Sequence, residues 1–343
     1  MDVVDVVALG ETMVTFVPGR PGRLADVPTF HRAIGGAESN VACVLAAAGH
    51  TARWVSRVGA DGFGQHLVEG IAAYGVDVAS VSRDPARPTG IYFRTAGDRG
   101  TSAHEVAYYR SGSAASALSV ANVDLAAARA GRVLHLSGIT AALSGDCRDL
   151  VSELTAPAAD RPLVSFDVNH RPSLWSTEEG PLALLALARR ADVVFVGEDE
   201  AAQAWGVTGG PEAIRAALPE PRVLVVKQAA KGATAFERGR SGRGRAVGEP
   251  ALRVDVVATT GAGDAFAAGF LSGTLRGLSL RTRLRLGHLF AAAALTTPGD
   301  LAAPPARDHA DRLTALDGTA WGRLRLAPGW TRAGRATQEA NTP

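Results

Sequence analysis

Lysine is nearly missing from this chain: among 343 residues only Lys227 and Lys231 are lysines, and the positive charge is otherwise arginine. Neither lysine follows a glycine, so the phosphate loop GxxxxGKS or GxxxxGKT cannot be present. Cysteine is equally scarce. Cys43 and Cys147 lie in apolar surroundings without metal-ligand spacing, which excludes a disulfide framework or zinc module and fits two buried, reduced thiols. No apolar run reaches the roughly 20 residues that a membrane-spanning helix requires. The acidic, strand-like start "MDVVDVVALGET" does not read as a signal peptide, so a cytoplasmic location is expected. A net charge of +2 supplies no strong field for nucleic acid or an anionic membrane. HExxH, GxSxG and the third glycine of the dinucleotide fingerprint are absent as well, which removes metalloprotease, serine-hydrolase and dehydrogenase readings.

What is present is an alternation of β-branched runs with Ala/Leu-rich stretches. Strands are expected at Val3–Leu9, Arg53–Val58, Val133–Leu136, Leu163–Val168, Val193–Val196 and Val223–Lys227. Helices are expected at Glu38–Ala48, Gly64–Tyr74, Cys147–Leu154, Ala262–Arg276 and Arg281–Thr296. Nearly continuous apolar strands separated by helices predict an α/β fold, with a mostly parallel sheet covered on both faces. Two segments break the rhythm, 12–32 and 89–110. Each holds two alternating strands around a Gly/Pro/Arg turn, which predicts a small antiparallel lid sheet projecting from the body. The core then comprises 1–11, 33–88 and 111–325, and 326–343 is a polar, frayed tail. Arg238–Glu249 reads as a solvated, basic turn between strands. A lid carrying Val14, Phe16, Tyr92 and Phe93 would want its apolar face covered, which suggests a homodimer through the lid.

The chemistry concentrates in "ATTGAGDAFAAGFLSG", Ala258–Gly273. Gly261, Ala262 and Gly263 leave main-chain N–H groups open to an anion at a helix start, and Asp264 stands beside them to take a proton. "AIGGAESNVA" places Gly35 and Gly36 between an apparent strand and a helix, on the edge of an α/β sheet where ligands bind. "VGADGFGQ", 58–65, is a second glycine-rich turn of the same kind.

With "GGAESN", "VGADGFG" and above all "TTGAGDAFAAGF", the sequence resembles the ribokinase-like (PfkB) family of sugar kinases over residues 3–305. The resemblance implies a central α/β domain with a β-sheet lid, and ATP- and Mg²⁺-dependent phosphorylation of a sugar hydroxyl. Asp264 would be the base, and the amides of Gly261, Ala262 and Gly263 the anion hole. Lys227 and Gly232, in "VVKQAAKGATAF", resemble the nucleotide-side loop, and "AAAALTTPGD" the turn bordering the adenine.

A finer resemblance is to 2-keto-3-deoxygluconate kinases, carried by "GIYFR", "YYRSGSAASALS" and "FDVNHRPSLW". It implies that Gly35, Gly36, Asn40, Tyr92, Tyr108, Arg110, Asn169 and Arg171 face the sugar together with Asp264. Two arginine forks suit a carboxylate, and the tyrosines can donate to sugar oxygens.

Two positions depart from the family pattern. Ala258 replaces an aspartate that helps hold a monovalent cation in relatives, so potassium activation does not carry over. Gly197-Glu-Asp-Glu200 replaces Asn-x-x-Glu, which leaves Glu200 alone to reach Mg²⁺ through water. The rival readings are a kinase of a neutral sugar such as fructose or ribose, and a catalytically weak metabolite-binding protein on the same fold.

Overall fold

The computed structural model describes residues 2–20, 22–95, 105–158, 161–175, 177–239 and 244–332. The turn of the second lid hairpin, the tip of the basic loop and the end of the tail lie outside the described residues.

Strand β1 (Val4–Leu9) sits inside a nine-stranded sheet. The other strands used below are β2 (Met13–Pro18), β3 (Phe30–Gly35), β4 (Ala52–Gly59), β5 (Val81–Asp84), β6 (Ile91–Arg94) and β7 (Val106–Tyr109). They continue with β8 (Gly131–Ser137), β9 (Leu163–Asp167), β10 (Val193–Gly197), β11 (Val223–Lys227), β12 (Ala233–Arg238) and β13 (Gly244–Glu249). The large sheet runs β13-β12-β11-β10-β9-β8-β1-β4-β5. It is parallel from β11 to β5, and β12 and β13 add an antiparallel edge.

Both faces of this sheet are buried, which is why its strands are apolar without alternation. Val6 and Ala8 belong to the core layer on one face, which helices Ala37–Ala47, Gly62–Ala72, Ala262–Leu275 and Leu280–Leu295 cover. Val7 and Leu9 belong to the core layer on the other face, which Gly145–Thr155, Gly180–Arg190, Glu198–Trp205 and Pro211–Ala217 cover. Burial of apolar surface at about 25 cal/mol per Å² is the main force holding these layers together.

The chain builds β4 on one side of β1 and later returns to place β8 on the other. The strand order therefore reverses at β1/β8, and a crevice opens there beyond the carboxyl ends of the strands. Glu38, at the start of helix Ala37–Ala47, sits in that crevice. Its Oε1 accepts from Ser137 Oγ at 2.7 Å and Thr140 Oγ1 at 2.6 Å.

The lid is a separate four-stranded sheet, β3-β2-β6-β7. Each segment forms the expected hairpin, but the sheet is mixed rather than antiparallel, because β2 and β6 join in parallel. The register pairs Val14 with Ile91, Thr15 with Tyr92 and Phe16 with Phe93. Side chains alternate across a strand, so Tyr92 lies on the face opposite Val14, Phe16 and Phe93. The expectation that put these four together is corrected by that pairing. The apolar face is also partly covered from within the chain: Phe63, at the start of helix Gly62–Ala72, meets Phe16 edge-on at 5.8 Å.

Two loop expectations change as well. Residues 244–249, inside the expected basic turn, are strand β13, paired along β12. The tail is bound as far as Trp330, which is buried and whose Nε1 donates to Thr296 Oγ1 at 3.2 Å.

Candidate active site

Helix Ala262–Leu275 begins at Gly261, which holds φ +77° and offers no side chain to the first-turn amides. An L side chain at that φ is strained, and here a Cβ would also collide with the carbonyl of Asp300. The amides of the first turn have no intrahelical partner, so an uncapped helix start presents a positive end to an anion.

Asp264 lies in that first turn, partly buried. Asn40 Nδ2 donates to its Oδ2 at 2.8 Å. Burial is the largest influence on the Asp264 carboxyl and pushes its pKa up to about 7, with the Asp167 carboxylate adding to the rise. The Asn40 hydrogen bond, Lys227 and Arg171 pull the other way. A carboxyl poised there can hold or give up a proton near neutral pH.

Lys227, at the end of β11, reaches across to Asp167 at the end of β9, with Nζ 3.1 Å from both carboxylate oxygens. Burial alone would lower the Lys227 pKa, but Asp167, Glu200 and Asp264 together raise it, so the ammonium stays charged. The same Nζ is 3.8 Å from where a Cβ of Gly263 would stand, which sets a cation beside the helix start. Glu200 accepts the Gly197 amide on Oε2 at 2.7 Å, and its Oε1 lies 4.0 Å from Arg171 Nη1.

Asn169 follows with φ +39°, a strained conformation for a residue with a side chain, and is buried. Asp167, Asn169, Arg171, Glu200, Lys227 and Asp264 thus share the carboxyl-end crevice with Asn40. Some polar capacity around Asn40 is unused: Asn40 Oδ1, Thr12 Oγ1 and Glu38 Oε2 are buried without a protein partner. Atoms in that state suit a ligand rich in hydroxyl groups.

Other expected site residues are differently engaged. The Arg110 guanidinium pairs through Nη2 with Glu11, a carboxylate buried to 2% exposure. Ser113 Oγ also donates to Glu11, at 2.6 Å. Arg110 stands 5.8 Å from the Tyr108 ring, and Tyr108 is exposed. The Tyr92 hydroxyl donates to Asp300 Oδ2 at 3.1 Å, so it is already committed to a protein partner. Gly35 and Gly36 have packing reasons. A Cβ at Gly35 would collide with the Tyr92 hydroxyl, and one at Gly36 would stand 2.7 Å from Glu11 O and Thr12 Oγ1. Gly232 holds φ +127° against the backbone of Glu249.

The sequence reading missed Glu11, Glu38, Arg94, Asp167 and Asp300. Asp167 carried a weak signal, a carboxylate ending an apolar strand; Glu38, Arg94 and Asp300 lie inside the quoted stretches "GGAESN", "GIYFR" and "AAAALTTPGD" without being singled out there, and Glu11 carried none.

Residues 4–307 match the model of the pfkB family carbohydrate kinases. The chain belongs to that family. A 2-dehydro-3-deoxygluconokinase of Bacillus subtilis is 36% identical over 309 residues, covering 89% of this chain and 93% of the relative. The fructokinase-2 of Zea mays is 32% identical, covering 90% and 94%. Among solved structures, a PfkB protein of Polaromonas sp. JS666 superposes with a TM-score of 0.77 at 34% identity, covering 91% of this chain and all of that one. A putative ribokinase II of E. coli in complex with ATP and Mg²⁺ superposes at 0.79, with 24% identity and 90% and 98% coverage. A PfkB kinase needs a base, an anion hole and a sugar pocket around one point, and the crevice at β1/β8 is the place where this chain gathers candidates for them.

Proposed function

We propose that this chain transfers the γ-phosphoryl group of ATP to the terminal hydroxyl of a keto-deoxy sugar acid, 2-keto-3-deoxy-D-gluconate, forming its 6-phosphate. The observation that carries the reading is Asp264: a carboxyl poised near pH 7, beside an uncapped helix start, oriented by Asn40. Asp264 accepts the hydroxyl proton as that oxygen attacks the γ-phosphorus. The bond to the bridging oxygen breaks and ADP leaves. The amides of Gly261, Ala262 and Gly263 take up charge at the transferring group, with the Lys227 ammonium close by.

Mg²⁺ would neutralise phosphate charge. The hard oxygens of Glu200 and Asp167 fit it as partners through water: one oxygen of Glu200 is held by an amide, and Asp167 is held by Lys227. Among the described residues no group of three acidic, histidine or cysteine side chains forms a direct cage.

Arg171 supports the sugar-acid reading. It is a third exposed and near the base; its Nη1 donates to the His170 carbonyl at 3.0 Å and lies 4.0 Å from Glu200, and the rest of its fork is offered to a ligand carboxylate. Arg110 offers a second fork only through the nitrogens not engaged by Glu11. That pairing, and the similarity to fructokinases, favour a neutral sugar as the second reading. The deciding experiment is ADP release with ATP and Mg²⁺ against 2-keto-3-deoxygluconate, its galactonate epimer, fructose and ribose. Turnover confined to the keto-deoxy acids is expected, and turnover only with fructose or ribose would replace the substrate.

Two further parts of the reading concern setting and assembly. Buried, unpaired Cys43 and Cys147 support a reducing cytoplasm. Phe30 and the exposed Tyr109 each meet Phe93 edge-on on the outer lid face, and they support a dimer through that face. Light scattering on the purified protein checks it, and a monomeric mass removes it.

A further inference from the structure

The two hairpins of the lid enter and leave the body around one carboxylate that the chemistry just described does not use. Glu11 lies in the joint between β1 and lid strand β2, Gly36 follows β3, Gly90 precedes β6 and Arg110 follows β7. The Glu11 side chain is fully buried. Its Oε2 accepts from Arg110 Nη2, and its Oε1 accepts from Ser113 Oγ at 2.6 Å. The turn that carries both donors is itself closed, with the Ser113 amide donating to the Arg110 carbonyl at 3.0 Å. Two glycines leave room for this arrangement. A Cβ at Gly90 would stand 2.8 Å from Glu11 Oε1 and 3.5 Å from Arg110 Cβ, and one at Gly36 would stand 2.7 Å from the Glu11 carbonyl.

Arg110 is held in this way without being used up. Its side chain is 11% exposed, and its Nε is buried with no protein partner. Among the described residues Glu11 is its one hydrogen-bond acceptor, so most of its N–H donors remain open to an incoming acceptor. The guanidinium also lies within electrostatic reach of the crevice at β1/β8. Burial raises the Glu38 carboxyl pKa there, and the Arg110 charge is among the influences that oppose the rise.

A buried ion pair adds little to stability that apolar residues of similar volume would not. What this one supplies is direction. A guanidinium on a free stem gives up its rotamer freedom when a ligand binds, whereas a clamped one has given it up on folding. Glu11 also cancels part of the Arg110 field, so its contribution is to aim the fork and not to strengthen the charge.

We infer that Glu11 is a positioning residue that aims the open donors of Arg110 at the carboxylate of the sugar acid, and so takes part in the choice of an acidic over a neutral sugar. The inference rests on the sugar-acid reading. Glu11 itself touches no reactant and acts through Arg110.

The test compares Glu11→Asp, Glu11→Gln and Glu11→Ala with wild type, in steady-state kinetics on 2-keto-3-deoxygluconate and on ATP, alongside thermal melting. Glu11→Asp keeps the charge but is one methylene too short to hold Arg110 and Ser113 together. Glu11→Gln loses the charge and keeps the reach, its amide oxygen accepting from Arg110 and its amide nitrogen donating to the Ser113 hydroxyl. Glu11→Asp is expected to raise KM for the sugar acid by about 10- to 100-fold, with kcat and KM for ATP within about threefold. Glu11→Gln is expected to keep KM for the sugar acid within about threefold of wild type. Glu11→Ala should follow Glu11→Asp; it leaves Arg110 buried and unpaired, so the comparison stands on Asp and Gln if the Ala variant does not fold. An unchanged KM for the sugar acid in folded Glu11→Asp would overturn the inference, whatever the melting temperature does. So would an equal rise in Glu11→Gln and Glu11→Asp, which would assign the effect to charge. Wild type that turns over only fructose or ribose would remove the sugar-acid reading, and the inference with it.

Discussion

Asn40 Nδ2 and Asp264 Oδ2 stand 2.8 Å apart although 224 residues separate them in the chain. The bond ties the start of helix Ala37–Ala47 to the start of helix Ala262–Leu275, across the point where the strand order reverses. It orients the carboxyl proposed as the base, and it favours the ionised form that burial opposes.

Replacing Asp264 by Asn removes the proton acceptor but keeps the shape of the site. Turnover should fall by about 10²- to 10⁴-fold, while ATP still stabilises the variant in thermal melts. Near-normal turnover would rule out Asp264 as the base.

The pH dependence follows from the sign of the shift. A carboxyl raised to about 7 must lose its proton to act, so kcat/KM should rise with pH up to about 7 and then level off. Asn40→Leu removes a hydrogen bond that lowers this pKa, so the rising limb should move up by about one pH unit. The stability linkage runs the other way. A folded pKa above the unfolded one favours the native state below the ordinary aspartate value of 3.8, and the benefit is lost as pH rises through about 7. Asp264→Asn should therefore melt higher than wild type at pH 8, with the gap shrinking toward pH 4.

The two arginines should separate cleanly. Arg171→Ala, at a side chain one-third exposed, should raise KM for the sugar acid by about 10- to 100-fold with little change in melting. Arg110→Ala strands Glu11, whose side chain is fully buried, and should cost about 3–5 kcal/mol of stability. A melt unchanged by Arg110→Ala would count against the structural role of that pair.

Gly261→Ala places a side chain at φ +77° and against the Asp300 carbonyl. Strain and overlap should lower kcat by at least about tenfold, because the helix start is displaced from the phosphate. Steady-state kinetics on the folded variant check this, and a wild-type kcat would show that the turn tolerates the change.

Potassium should matter little. Ala258 brings no carboxylate, and its amide, like that of Val257, donates to the Leu295 carbonyl, at 3.3 and 2.7 Å. Turnover in potassium, sodium or neither should agree within about twofold. A larger activation by potassium would mean that carbonyl oxygens alone hold the ion.

The parallel body and the helix start at Gly261 were legible in the sequence because their signals are contiguous. An apolar run bounded by glycines identifies a buried strand by itself, and "TTGAGDAF" keeps its glycines and carboxylate within eight residues. The edge strand β13 was not legible. Its exposed face is arginine- and glycine-rich, and pairing with β12 rather than composition makes it a strand.

What the chain determined by itself is the order of its strands and helices, the bare helix start at Gly261 and the carboxylate that follows it. Local periodicity and backbone freedom settle those within a few residues. Tertiary structure alone decided that Lys227 meets Asp167, that Arg110 spends part of its fork on Glu11, and that Tyr92 turns to Asp300 rather than to the outer face. These partners lie 60, 99 and 208 residues apart. Electrostatic and hydrogen-bond energies depend on distance in space, and strand register chooses which side chains come within reach.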